Sequence, residues 1–383
     1  MLNTSTEQII EQIHASPIKL VLEVAGAGSL ALFWLHNVAG SSRTILEATD
    51  RYAPASLVEL IGHMPEKFVS VETAQAMAIQ AYRRARRLQD DATCIGVACS
   101  ATIATNRLKR GDHGCWVAVY DGKEVHAYGL VLTKGQRDRL AEEVVVSQVL
   151  LHAIAVECQV TGAVEMALIE GERVEMVSKR VDDPVASLLD ERAQSVTVLP
   201  DGQRIADQPV QGALLSGSFN PLHAGHERLA AASEQALGLP VAFELPVVNA
   251  DKPTLSYAEI ERRLGQFLGR YTVVLSRAPL FREKATLFPG CVFIVGYDTA
   301  LRLVDPHYYG GEAGRDTALE DIRARGCRFL VAGRVHDGAF RTLADLVIPG
   351  GFEDLFIALP ENAFRVDLSS TEMRARFASA NRS

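Results

Sequence analysis

Hydrophobic positions along the chain repeat at two spacings, one typical of buried strands and one typical of amphipathic helices. Helical spacing covers residues 4–16 and 137–155, and Gly26 and Gly28 form a turn that leads from the first strand into another helix. Strand-like apolar runs cover residues 18–24, 93–99, 115–120 and 124–132. Because strands alternate with helices, the pattern predicts an α/β domain over residues 1–158.

The same alternation returns in the second half of the chain. Apolar runs lie at residues 241–246, 272–276, 292–295, 329–332 and 356–359. Continuous runs of this kind are typical of parallel strands that are covered on both faces. We therefore predict a second α/β domain, with a Rossmann-like parallel sheet, over residues 210–383. Residues 159–209 carry few motifs and are predicted to be a connector, in which residues 200–202 form a hairpin turn.

Composition and charge narrow the classes of function. A chain of 383 residues with 48% hydrophobic residues can build two or three domains with sizeable cores. The formal net charge of −8 argues against a nucleic-acid partner, and no apolar run is long enough to predict a membrane span. The six cysteines lack zinc-like spacing, so we predict reduced thiols in a cytoplasmic protein.

The strongest chemical signal lies where a buried strand ends at Leu215. Small residues turn the chain at positions 216–218, and a helix begins near Ala224. A strand, a tight turn and a helix N-terminus together present backbone N–H groups and the positive end of the helix dipole to an anion. His223 and His226 lie three residues apart across the helix start, so both imidazoles can face the same phosphate.

Two motifs carry a family resemblance. Gly217-Ser-Phe-Asn-Pro-Leu-His-Ala-Gly-His226 resembles the His-x-Gly-His signature of the nucleotidylyltransferase superfamily, and it is most similar to the nicotinamide/nicotinate mononucleotide adenylyltransferases. Leu368-Ser-Ser-Thr-Glu-Met-Arg374 resembles the Ile-Ser-Ser-Thr-x-x-Arg signature of the same superfamily. The resemblance implies that AMP passes from ATP to a phosphorylated small-molecule acceptor, either nicotinamide or nicotinate mononucleotide, and that pyrophosphate leaves.

The resemblance also implies which residues form the site. The catalytic residues would be His223, His226 and Arg374. The substrate-binding residues would be Gly217, Ser218, Phe219, Asn220, Lys252, Asp298, Ser369, Ser370 and Thr371. Arg334 is added on its position, because it follows a buried strand and can reach phosphate there. The chain has no dense carboxylate cluster, so we predict no protein-held metal and expect the nucleotide to carry Mg²⁺. Pro279 to Lys284 are predicted to form a loop with apolar and basic residues beside the acceptor.

The first domain resembles the C-terminal domain of the competence/damage-inducible protein family, whose active members deamidate nicotinamide mononucleotide. The resemblance spans residues 23–28, 38–42, 52–62, 69–78 and 114–118. It departs at two positions, because the expected serine nucleophile falls on Val24 and the expected lysine falls on Leu57. Since valine cannot attack an amide, the resemblance implies a deamidase fold without deamidase activity. It also implies a homo-oligomer, because that family tends to self-associate.

Other functions stay open at this point. The His-x-Gly-His motif serves equally well in cytidylyltransferases that use CTP and in phosphopantetheine-type adenylyltransferases. A non-catalytic nucleotide-binding sensor would keep the same pockets without turnover. The glycine-rich turn at residues 26–28 is a second candidate anion site, since it also joins a strand to a helix.

Overall fold

Each half of the chain is built around one mixed β-sheet. The computed structural model describes residues 4–90, 93–106, 111–248 and 253–365. The chain divides into two units, Met1–Ala186 and Ser187–Ser383. Both sheets contain parallel strands that alternate with helices, so the predicted α/β class is confirmed.

The first unit contains a six-stranded sheet with helices on both faces. Its strands are β1 (Lys19–Ala25), β2 (Ile45–Asp50), β3 (Cys94–Thr102), β4 (His113–Tyr120), β5 (Glu124–Leu132) and β6 (Glu175–Arg180). Its helices are α1 (Thr4–Ala15), α2 (Ser29–Asn37), α3 (Pro54–Ile61), α4 (Val71–Leu88) and α5 (Arg139–Glu157). The strand order is β2-β1-β3-β4-β5-β6, and β1 is parallel to both of its neighbours.

Two apolar cores cover the two faces of this sheet. Helices α1, α2 and α5 pack on one face, and α3 and α4 pack on the other. Val24 is buried in the first core and Leu57 in the second. The two side chains that stand in place of the expected serine and lysine are therefore core residues.

The second unit contains a larger sheet. After α6 (Pro184–Leu189), its helices are α7 (Ala224–Leu237), α8 (Tyr257–Leu264), α9 (Phe281–Leu287), α10 (Tyr297–Val304) and α11 (Glu312–Ala324). Its first five strands are β7 (Ser195–Val198), β8 (Arg204–Ala206), β9 (Ala213–Ser216), β10 (Val241–Pro246) and β11 (Val273–Ser276). The others are β12 (Val292–Gly296), β13 (Arg328–Ala332), β14 (Arg334–His336), β15 (Ala339–Arg341) and β16 (Phe356–Ala358), of which β14 and β15 pair with each other in a separate two-stranded sheet.

The strand order of this sheet creates a crevice. The order is β16-β13-β12-β9-β10-β11-β7-β8, and the six strands from β16 to β11 are parallel. The chain moves outward from β9 in one direction, through β10 to β11, and then returns to β12 on the other side of β9. Ligands of open α/β sheets bind outside the carboxyl ends of the strands at such a reversal.

Local sequence signals explain where α7, the helix that follows β9, begins, packs and ends. His223 is the N-cap residue of α7, and Ala230 and Ala232 form part of its buried face. Small side chains on that face allow a helix to pack closely against a sheet. Gly238 ends the helix in the left-handed conformation at φ +64°, which glycine adopts without steric cost.

The structure corrects one of the predicted segments and confirms another. Residues 279–284 do not form a loop, because α9 begins at Phe281 and Lys284 is buried within it. A seven-residue helix is too short to show a clear helical period. The predicted hairpin at residues 200–202 is confirmed, since β7 and β8 pair antiparallel. Within residues 159–209, β6 joins the first sheet while β7 and β8 join the second.

All six cysteines are buried and free of disulfide bonds. Across the described ranges, no helix combines the length and the apolar character needed to cross a membrane.

Candidate functional site

A cavity of about 230 Å³ opens at the reversal of strand order in the second unit. Its wall comes from the carboxyl ends of β9, β12 and β13 and from the first turns of α7 and α10. Its polar and small lining residues include Ser216, Gly217, Ser218, His223, His226, Gly296, Thr299 and Arg334. Its apolar lining includes Leu229, Phe281, Ile294 and Phe364. No lining residue is a carboxylate, so the polar part of the cavity suits an anion.

Helix α8 and the residues directly after it fix the turn between β9 and α7 from outside the cavity. Arg263 donates a hydrogen bond to the carbonyl oxygen of Ser218 at 2.9 Å, and Gln266 Nε2 donates to that of Phe219 at 3.0 Å. Arg262 donates to Oδ1 of Asn220 at 2.8 Å. The turn is therefore preorganised by the protein itself, which lowers the cost of ordering it around a ligand.

Phe219 supports the cavity without lining it. Its side chain is buried, and its ring lies edge-to-face against His226, Phe243 and Phe267 at centroid distances of 5.0, 5.3 and 5.5 Å. A Cβ atom on Gly217 would come within 2.8 Å of the Phe219 ring. The structure thus places Phe219 in the core, where its ring packs against the His226 imidazole. Asn220 contacts Arg262 and is not among the cavity residues.

The two histidines form a stacked pair at the N-terminus of α7. Their ring centroids are 3.6 Å apart, with 20° between the ring planes. Both ring nitrogens of His223 and Nδ1 of His226 are buried without a hydrogen-bond partner in the described structure. Such unpaired buried nitrogens are costly unless a ligand completes their hydrogen bonds.

The surroundings favour neutral imidazoles in this pair. Burial lowers the pKa of His223; contact of the ring with its own backbone opposes this shift, and the nearby positive charge of Arg334 adds to the lowering. Burial, followed by the neighbouring His223 and by Arg334, lowers the pKa of His226 to about 3. A neutral imidazole keeps one N–H donor, which can bond a phosphate oxygen.

Arg334 faces this pair from the other side of the crevice, at the start of β14. Its guanidinium lies 3.0 Å from Oδ2 of Asp298, and His336 Nδ1 lies 2.9 Å from the other oxygen of that carboxylate. Asp298 stands in the first turn of α10 and is not a cavity residue, so it positions Arg334. The structure brings together Gly217, Ser218, His223, His226 and Arg334 of the predicted site.

The other predicted residues lie outside the described part of the chain. They are Lys252, Ser369, Ser370, Thr371 and Arg374. Among the residues that the structure describes, no group of three histidine, cysteine, aspartate or glutamate side chains could hold a metal ion. Mg²⁺ carried by a nucleotide stays a prediction.

Comparisons with known proteins give structural neighbours only. No family model matches the chain, and no curated protein matches it. Solved structures that resemble it include competence/damage-inducible proteins. That from Agrobacterium tumefaciens is 19% identical with a TM-score of 0.32, and the match covers 42% of this chain and 94% of that one. For the Enterobacter asburiae protein the identity is 13% and the TM-score 0.34, over 41% of this chain and 98% of that one. At these scores the likeness carries no argument about activity.

Sequence reasoning missed a buried polar cluster below the cavity. Lys284 Nζ lies 2.5 Å from Oε2 of Glu244 and 3.4 Å from Oγ of Ser216, and the hydroxyl of Ser276 donates to Oε1 of Glu244. The side chains of Lys284 and Glu244 are 3% and 0% exposed. A glutamate within the apolar run of β10 was the available signal, because a buried charge requires a partner.

The second candidate anion site, in the first unit, is occupied by the protein's own carboxylate. Oε1 of Glu143 accepts hydrogen bonds from the backbone N–H of Gly28 at 2.9 Å and of Leu30 at 3.2 Å. The same oxygen accepts from the hydroxyl of Ser29 at 3.1 Å. The donors at the start of α2 are thus already paired with a negative charge.

Proposed function

We propose that the second unit is a nucleotidylyltransferase of the His-x-Gly-His type, with a Rossmann-like sheet. It would transfer AMP from ATP to nicotinamide or nicotinate mononucleotide and release pyrophosphate. The observation that carries the proposal is the stacked pair of His223 and His226, whose buried ring nitrogens lack partners at a helix N-terminus. Each neutral imidazole can donate one N–H, and a nucleotide phosphate chain at the helix N-terminus supplies oxygens that accept these hydrogen bonds.

The electrostatics of the cavity support the same ligand. Arg334 contributes a positive charge, and the N-termini of α7 and α10 contribute the positive ends of two helix dipoles. With about 230 Å³ the cavity is smaller than most small-molecule sites, so it would hold the phosphate chain while the nucleoside extends beyond it. The acceptor would then approach along the open crevice.

Adenylyl transfer requires little covalent chemistry from the protein. An oxygen of the acceptor phosphate attacks the α-phosphorus of ATP in line, and the bond to the bridging oxygen of the β-phosphate breaks as pyrophosphate leaves. No side-chain nucleophile is required, so catalysis consists of positioning and charge stabilisation. His223, His226 and Arg334 would bind the phosphate oxygens, and Arg374 would join them. Mg²⁺ carried by the nucleotide would shield the β and γ oxygens.

The proposal also gives a role to the first unit, that of an inactive partner domain. Val24 and Leu57 are buried in its cores, where neither can act on an amide. We propose that it is a deamidase-like fold without deamidase activity that supports assembly of a cytoplasmic homo-oligomer. Both units would then belong to the metabolism of pyridine nucleotides.

Release of pyrophosphate by the purified protein tests the proposal. ATP and CTP are each combined, in the presence of Mg²⁺, with nicotinamide mononucleotide, nicotinate mononucleotide and phosphopantetheine. Turnover of ATP with either pyridine mononucleotide supports the proposal and names the acceptor. Turnover with CTP alone, or with phosphopantetheine alone, replaces it with one of the other transferase functions. Tight nucleotide binding without any turnover favours the sensor.

A matched pair of variants tests the histidine assignment. His226→Ala is expected to lower kcat by about 100-fold or more, since removing one donor to the developing charge typically has that effect. His307→Ala is the control, because His307 is exposed and lies outside the cavity. Undiminished turnover in His226→Ala would remove that residue from the mechanism.

A further inference from the structure

A buried ion pair lies directly beneath the first residue of the phosphate loop, which we define as residues 216–223. Lys284 on α9 and Glu244 on β10 are both buried and are 2.5 Å apart at Nζ and Oε2. An isolated charge at this depth would be strongly unfavourable, whereas the pair is neutral overall. The hydroxyl of Ser276 on β11 donates to the second oxygen of Glu244, so that carboxylate is satisfied on both sides.

The ammonium of Lys284 has a second contact, and this one reaches the cavity. Nζ lies 3.4 Å from Oγ of Ser216, the last residue of β9. An ammonium can only donate, so the Ser216 oxygen is the acceptor in this contact. The hydroxyl proton of Ser216 must therefore point elsewhere. No hydrogen bond donated by this hydroxyl is found in the described part of the chain, and Ser216 lines the same cavity as His223 and His226.

We propose that Ser216 is a phosphate-binding residue and that Lys284 is the positioning residue that orients its hydroxyl. The inference rests on the proposed function, because it takes the cavity ligand to be the phosphate chain of a nucleotide. The hydrogen bond from Lys284 occupies a lone pair of the Ser216 oxygen and polarises its O–H bond, which makes the hydroxyl a better donor. The backbone donors of the turn and the two histidines do not depend on the contact between Lys284 and Ser216. The Ser216 hydroxyl is therefore an additional donor to the site.

The same cluster provides a matched control. Ser216 and Ser276 are both serines at the end of a strand, and each contacts one member of the Lys284–Glu244 pair. Ser216 lines the cavity, whereas Ser276 is buried and does not. Ser216→Ala and Ser276→Ala therefore remove the same group from the same cluster, and only the first removes a donor from the ligand site.

Calorimetric titration of the full-length protein with Mg²⁺-ATP and with inorganic triphosphate measures the effect. Triphosphate lacks the nucleoside and so reports on the phosphate contacts alone. Ser216→Ala is expected to weaken both ligands by a similar factor of about 10- to 100-fold, as for loss of a hydrogen bond to a charged group. Ser276→Ala is expected to change both affinities by less than about threefold.

A second comparison tests the positioning role of Lys284. In the variant Lys284→Met/Glu244→Gln the ion pair is gone, and the Ser216 hydroxyl is no longer held. Adding Ser216→Ala to that background is expected to weaken binding by less than about threefold further, because coupled groups lose their effect together. A further loss as large as in the wild-type background would overturn the role of Lys284.

The outcomes separate this inference from the proposed function. If Ser216→Ala binds triphosphate as well as the wild type does, the inference is wrong while pyrophosphate release can still occur. Equal losses in Ser216→Ala and Ser276→Ala also overturn it, since they would reflect general damage to the cluster. If the wild-type protein binds neither Mg²⁺-ATP nor triphosphate, both the inference and the proposed function fail.

Discussion

Replacing His226 with glutamine is expected to reduce the acid sensitivity of the second unit. Burial, the neighbouring His223 and the charge of Arg334 lower the pKa of His226 from 6.5 to about 3 in the folded protein. The unfolded chain has none of these surroundings, so there the imidazole takes up its proton near pH 6.5. Glutamine has a similar polarity and cannot titrate, so it removes this difference between the folded and unfolded states.

The sign and the size of the effect follow from proton linkage. Between pH 6.5 and about 3 the unfolded state binds the proton and the folded state does not, so the free energy of unfolding falls as the pH falls. Above pH 6.5 the stabilisation is fully present. Each pH unit inside the window costs about 1.4 kcal/mol, so the change from pH 7 to pH 5 costs about 2 kcal/mol. For a unit of the size of Ser187–Ser383 this lowers the melting temperature by about 4–8 °C.

Differential scanning calorimetry at pH 7, 6 and 5 measures this shift. The wild-type protein is expected to lose about 4–8 °C more than His226→Gln does over this range in the transition of the second unit. His307→Gln, at an exposed position outside the cavity, is expected to follow the wild type. If His226→Gln and the wild type show parallel pH dependence, the imidazole is not held neutral by its surroundings and the reasoning is refuted.

Three further substitutions test the supporting structure. Gly217→Ala places a Cβ atom 2.8 Å from the ring of Phe219, so the second unit should lose about 1–3 kcal/mol by calorimetry; unchanged stability would show that the ring can move. Lys284→Met leaves Glu244 buried without its partner and should cost about 3–5 kcal/mol; adding Glu244→Gln should recover part of this loss, and no recovery would contradict the pairing. Glu143→Gln should lower the stability of the first unit by about 0.5–2 kcal/mol, because it removes the charge at the start of α2. Both tryptophans lie in that unit, so their fluorescence during unfolding measures the change, and an unaltered midpoint would contradict it.

Elements that depend on local signals could be predicted from the sequence. The run at Val241–Pro246 is a strand with the bounds that the pattern indicates. Helix α7 begins beside His223 and ends at Gly238, as the turn residues and the left-handed glycine require. The proximity of His223 and His226 at the helix start also follows from their spacing, whereas the stacking of their rings is seen only in the structure.

Features that depend on distant partners could not be predicted. The sequence places Asp298 and Arg334 at two strand ends, and only the folded sheet shows that the carboxylate holds the guanidinium at 3.0 Å. The pairing of Glu244 with Lys284 joins β10 to a short helix that no periodicity marked. The family resemblance predicts that Phe219 binds the ligand, whereas the structure places its ring in the core. In each case the deciding quantity is a distance across the sheet, which a local pattern does not contain.

Each unit contains the same strand–turn–helix arrangement, and the two differ in the side chains that face the helix N-terminus. In each, a parallel strand leads through a tight turn into a helix whose N-terminus attracts negative charge. In the first unit the carboxylate of Glu143 supplies that charge from within the fold. In the second unit, His223 and His226 stand at the corresponding position, and their buried nitrogens have no partner in the described structure. Buried nitrogens without hydrogen-bond partners lower the stability of the fold, and proteins retain them where a ligand completes the hydrogen bonds. The contrast between a filled turn and an open one is therefore a second argument, independent of any motif, for placing the proposed ligand site in the second unit.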